Sequence, residues 1–204
     1  MTEITIWSET KTGGKVVEQF DTDATEINLS DRRIATADLS SLDQFQNLEV
    51  LTLSGNEIQS VDLSKLQGNS TLLELYLGGN QLETIDLSFL EGCPSLMHLD
   101  FSFNRLRSID LAPLVYCTEL KALHLYENKI EQIDFSPLRK CKKMRNVTLT
   151  KNEITSVDIS PLYYCRRLVQ LGLDSDVSMT ASAKLKKVKP PVALRSLVSR
   201  INWK

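Results

Sequence analysis

The chain has 204 residues, 42% of them apolar and 25% charged, with a formal net charge of −2. That balance suits a globular domain, and no stretch approaches the roughly 18–20 apolar residues of a membrane-spanning helix. The small net charge hides an asymmetry: residues 1–102 hold 5 Lys+Arg and 17 Asp+Glu, net −12, while residues 103–204 hold 19 and 9, net +10.

From Met1 to Ser8 there is no basic region followed by an apolar run, so no signal peptide is expected. Ile4–Trp7 and Lys15–Phe20 alternate apolar and polar residues, which predicts two strands. Thr10-Lys11-Thr12-Gly13-Gly14 joins them, with glycines free to take positive φ.

From about Thr25 to Asp176 the chain repeats. Asn56, Asn80, Asn104, Asn128 and Asn152 stand 24 residues apart. Each closes the phrase Leu-x-x-Leu-x-Leu-x-x-Asn, as in Leu48 to Asn56, with Met144 opening the fifth copy and Asp176 ending a sixth. Ile27, Leu29 and Ile34 carry the period upstream. An asparagine amide both donates and accepts, so stacked asparagines can satisfy buried main-chain groups of their own and the next turn. After each asparagine the phrase runs Ile-x-x-Ile-Asp, and Ser136-Pro137 and Ser160-Pro161 suit the N-cap and first position of a short helical turn.

This phrase, in register six times, resembles the leucine-rich repeat family over residues 25–176. The resemblance implies an α/β architecture: a right-handed solenoid with a parallel β-sheet on the concave face and short helical or 3-10 turns on the convex side. Such a coil exposes core at its ends. Residues 1–24 are the expected N-terminal hairpin cap. Residues 177–204 are expected to be a basic linker and an amphipathic C-terminal helix, with Leu194, Leu197, Val198 and Ile201 on one face. That helix is either a cap or, with its Lys and Arg residues, a binding element for an acidic partner or membrane surface.

Two further columns share the period. Cys93, Cys117, Cys141 and Cys165 follow Phe45 and Asn69 in the same slot. One cysteine per coil stacks as a core thiol more readily than it surrounds a tetrahedral ion, and unpaired thiols fit a cytoplasmic location. Asp38, Asp62, Asp86, Asp110, Asp134 and Asp158 form the other column. Stacked carboxylates raise calcium as a reading, against turn capping by hydrogen bonds from backbone N–H groups.

Side chains alternate along a strand, so the solvent-facing columns follow from the period. At the centre they bring together Tyr76, His98, Asp100, Phe103, His124 and Tyr126, which are the expected contacts for a protein partner. Asp100 and His124 hold the same place on adjacent coils, but no nucleophile stands opposite the histidine. No catalytic, cofactor or metal motif occurs, and the family implies a non-enzymatic protein-binding module. The runner-up is binding of nucleic acid, another anionic polymer or a membrane through Arg139, Lys140, Lys142, Lys143, Arg166 and Arg167. The opposed charge of the two halves also permits head-to-tail self-association.

Overall fold

The computed structural model describes residues 3–204. Met1 and Thr2, the start of the expected 1–24 cap, lie outside the described residues. Glu3–Thr10 and Lys15–Asp21 pair antiparallel as a hairpin, with Gly13 at φ 81 in its turn. The inner edge of the hairpin continues onto Ile34–Asp38 of the first coil. Ile4 and Ile6 are buried, and Phe20 meets Phe45 edge to face at 6.4 Å. The hairpin therefore packs over the N-terminal end of the core.

Among the described residues, seven three-residue strands build one parallel sheet: Glu26–Asn28, Val50–Thr52, Glu74–Tyr76, His98–Asp100, Ala122–His124, Asn146–Thr148 and Gln170–Gly172. The register places each residue opposite the one 24 positions away, for example Leu75↔Leu99 and Tyr76↔Asp100. The middle residue of each strand points inward; Leu51, Leu75, Leu99, Leu123 and Val147 are fully buried. Opposite the sheet, 3-10 turns such as Ser64–Leu66, Ser88–Gly92, Ala112–Val115, Ser136–Lys140 and Ser160–Tyr164 return the chain. Leu66, Leu90, Leu114, Leu138 and Leu162 plug the core from that side.

The asparagine amides hold the coils together. Asn104 Nδ2 donates to the carbonyls of Phe101 in its own coil and Leu77 in the coil before, at 3.0 and 2.9 Å. Its Oδ1 accepts from Leu82 N at 3.0 Å. Asn56, Asn80, Asn128 and Asn152 repeat the arrangement. The bridge runs to the preceding coil rather than the next. In the sixth copy Asp176 is exposed, and Asp174 instead accepts from Lys151 N and Asn152 N.

The aspartate column caps turns. Asp62, Asp86, Asp110, Asp134 and Asp158 each accept, through Oδ1, from the backbone N–H two residues on, at 2.8–2.9 Å. Serine does not act as the expected N-cap; Ser136 and Ser160 are already inside their turns. Among the described residues no cluster of His, Cys, Asp or Glu is arranged to hold a metal ion.

The C-terminal end departs from the expected linker and helix. Ser178–Ala181 is a strand, parallel both to Ser156–Asp158 and to Ile201–Trp203. A helix does begin after Pro191, but it is 3-10 over Val192–Arg200 and ends before Ile201. Leu194 and Ile201 are buried, and Trp203 packs edge to face on Tyr163 at 6.2 Å. Strand pairing captured Ile201, because extending the helix would have left the edge of Ser178–Ala181 open. Among the described residues no helix is long and apolar enough to cross a membrane.

The four cysteines are free, fully buried and stacked. Their thiols lie 3.2–3.7 Å from carbonyls of the coil before, as Cys165 does from Leu138 O. Burial pushes Cys93 and Cys165 up to about 11 and Cys117 and Cys141 up to about 12. Because the folded pKa values exceed the unfolded one, this stability is whole below pH ~8.5 and is lost as pH rises through the folded values. Native protein at pH 8 is expected to leave all four thiols unreacted with a disulfide reagent, and denatured protein to titrate all four.

Two substitutions test the frame. Asn104→Ala strands the buried N–H of Leu82 but leaves the carbonyls of Leu77 and Phe101 one amide partner each, from Asn80 and Asn128. It should cost about 1–3 kcal/mol in denaturant unfolding, as one unsatisfied buried group does. A Cβ on Gly92 would stand 2.2 Å from Gly68 N. Gly92→Ala should therefore lower stability by about 1–3 kcal/mol through overpacking, although the site is on the surface side of the coil.

Candidate functional site

The sheet places all six expected contact residues in one neighbourhood. Tyr76, Asp100 and His124 are successive register partners across three strands, and His98 lies opposite Glu74 in the column alongside. Phe103 and Tyr126 follow two adjacent strands and meet edge to face at 4.7 Å and 73°.

Local pairings differ from simple stacking. Tyr76 Oη donates to Glu74 Oε2 at 2.6 Å, and His98 Nδ1 lies 3.3 Å from Glu74 Oε1. One carboxylate thus anchors the phenol and the imidazole together. Burial first, then the bond to Glu74, pushes the Tyr76 phenol well above its ordinary value. Tyr126 is raised as well, by burial and then by the Asp100 charge. Both remain neutral hydrogen-bonding phenols.

The Asp100–His124 pairing that adjacency suggested does not form. His124 Nδ1 shares a hydrogen bond with Thr148 Oγ1 at 2.9 Å. Asp100 Oδ1 accepts from Ser102 N at 2.8 Å. The other oxygen, Oδ2, leans over Gly78, where a Cβ would stand 3.4 Å from it. The glycine thus makes room for the carboxylate. Ser102 is 1% exposed and its hydroxyl has no partner. It lies beneath this face, not against the histidine as a nucleophile would.

Phe103 is the least ordinary residue here. It sits at φ 55, in a column of left-handed residues that includes Gly55 at 69, Gly79 at 70, Glu127 at 54 and Lys151 at 60. The repeat imposes this conformation, and for a residue with a side chain it costs roughly 1–2 kcal/mol. Lys151 and Glu127 offset the cost with an ion pair. Phe103 instead projects a ring that is 45% exposed. The spacing revealed the residue, but its backbone conformation was legible only through the glycines that share the slot.

The expected basic residues are on the turn side of the coils and divide into three pairs. Lys143 pairs with Glu119, and Arg166 Nη1 donates to Lys189 O at 2.8 Å. Arg139 lies over the Tyr164 ring, 4.3 Å from its centroid, and Lys142 lies 5.3 Å from the same centroid. Lys140 and Arg167 are exposed. The six do not form one continuous free patch.

The sequence profile described as leucine rich repeat matches residues 23–82 and 70–130, together more than half of the chain. Among solved structures, a leucine-rich repeat protein of Leptospira interrogans aligns with a TM-score of 0.62 and 19% identity over 74% of this chain and 37% of its own. Internalin C2 of Listeria monocytogenes aligns at 0.57 and 20% over 88% of this chain and 80% of its own. The LRIM1/APL1C complex aligns at 0.60 and 24% over 69% of this chain and 26% of the matched one. The chain therefore spans well under half of the first and third of these proteins. A comparison with curated sequences gives no match. These likenesses establish the solenoid, a fold that commonly serves as a non-enzymatic scaffold for protein–protein recognition. By its repeats and its coil, this chain belongs to the leucine-rich repeat family.

Proposed function

We propose that this protein binds a protein partner through the open face of its main sheet and performs no catalysis itself. Phe103 carries the reading: a large exposed ring is held in a backbone conformation that penalises it, stacked on Tyr126, with no buried role. Strain kept at an exposed aromatic points to use of the ring outside the fold. Around it, Tyr76, His98, Asp100 and His124 supply hydrogen-bonding groups already oriented by Glu74, Ser102 and Thr148. Oriented polar groups around an aromatic anchor are the usual make-up of an interface centre. Among the named relatives, the LRIM1/APL1C structure is itself a protein complex. The buried thiols fit a reducing compartment such as the cytoplasm.

The anionic-polymer reading is weaker, because Lys143 and Arg166 already have partners within the chain. Comparative affinity capture from the source cell separates the two. Phe103→Gly should leave stability within about 1 kcal/mol of wild type, since relief of the left-handed backbone offsets the lost aromatic contact. The same variant should weaken partner binding about 30-fold or more, as removal of an interface anchor does. Retention of the partner by Phe103→Gly and Tyr126→Ala, with loss on Arg139→Glu/Lys142→Glu, would transfer the site to the basic side.

A further inference from the structure

The turn side of the solenoid carries two adjoining clefts of opposite sign. One is lined by Asp86, Glu91 and Asp110 with Tyr116, the other by Arg139, Lys140 and Lys142 with Tyr164, and Val115 lines both. The acidic cleft belongs to the coils before Val115 and the basic one to the coils after it. Among the described residues, none of these six charges has an ionic partner in the chain, although ion pairs form nearby at Lys143–Glu119 and Lys151–Glu127. Tyr116 is 49% exposed and Tyr164 39%. Arg139 and Lys142 already flank the Tyr164 ring, so the positive cleft is partly organised before anything docks.

A surface that is negative on one side of a point and positive on the other becomes its own complement when rotated by half a turn about that point. This is the requirement of an isologous two-fold interface, in which residue i meets j and j meets i. We infer that two copies of this chain associate back to back through the turn side, with Val115 and Tyr116 near the axis. The acidic cleft of each copy receives Arg139 and Lys142 of its partner. Both charge contacts are made twice, and the exposed tyrosines supply apolar area between them. The sheet faces then point outward on opposite sides, so the dimer presents two copies of the aromatic site. A head-to-tail stack, which the end-to-end polarity would also favour, leaves free ends and grows; the two-fold arrangement closes at two.

Sedimentation equilibrium across protein and salt concentration tests this. The wild-type chain is expected to reach the mass of a dimer at low salt and go no further, with weaker association as salt rises. Glu91→Lys and Arg139→Glu/Lys142→Glu, which leave the turn-capping aspartates intact, should each weaken self-association about tenfold or more through like-charge contact. Mixing the two variants should restore association in part, as a dimer containing one of each. The reversed charge at position 91 then meets the reversed charges at positions 139 and 142, while the other contact keeps its native signs. Circular dichroism establishes that each variant folds, and Tyr76→Ala, on the other face, should dimerise as wild type does. A chain that stays monomeric at low salt, a mass that climbs past two copies, or swapped variants that fail to complement each other would overturn the inference.

Discussion

Each coil must place main-chain donors and acceptors in its interior, where water does not reach them, and the asparagine amides resolve that constraint. A regular strand pairs its polar groups sideways, but the chain leaves the strand at every turn. One amide group per coil, joined to carbonyls of two coils and an N–H of the earlier one, closes the deficit without adding volume. The bond set ties each coil to its predecessor, so stability accumulates along the axis as pairwise terms. At the last regular coil a different backbone need arises, and the Asp174 carboxylate accepts from Lys151 N and Asn152 N, whose counterparts in earlier coils donate to carbonyls of the following coil. The demand lies in the backbone, and the residue that answers it can change.

With the interior so determined, the exposed columns are free to differ. The left-handed slot shows how far. Its occupants run Asp31, Gly55, Gly79, Phe103, Glu127 and Lys151, all at positive φ. Glycine fits without strain, yet half the column is occupied by residues with large side chains. A charged pair accounts for two of those. The phenylalanine has no such ionic partner; its ring is half-exposed and packs edge to face on Tyr126.

Most of this was legible in the sequence because a fixed period turns order along the chain into position in space. The parallel register, the inward leucines, the thiol column and the grouping of Tyr76, Asp100 and His124 all follow from one number. What the period does not encode is which neighbour a side chain chooses. His124 sits beside Asp100 but turns to Thr148, because the Asp100 carboxylate is held by the backbone N–H of Ser102. Turn capping passed from serine to aspartate for a similar reason: a carboxylate two residues ahead reaches the free N–H first. The C-terminal end was harder still. Its apolar spacing fits a helix, and only the open strand edge beside it explains why Ile201 pairs as a strand.

The bonding pattern of the asparagines has a consequence for how such a chain can lengthen. Because every amide reads only its own coil and the one before it, a recombination event that inserted a copy of a different coil between Asn104 and Asn128 would reproduce the pattern of interior bonds. The scaffold would accept the longer gene product. Phe103 and Tyr126, however, belong to adjoining coils and would be driven apart by the newcomer. The interior therefore tolerates growth at places where the proposed recognition surface does not, and lineages that keep the aromatic pair can gain coils only on either side of it.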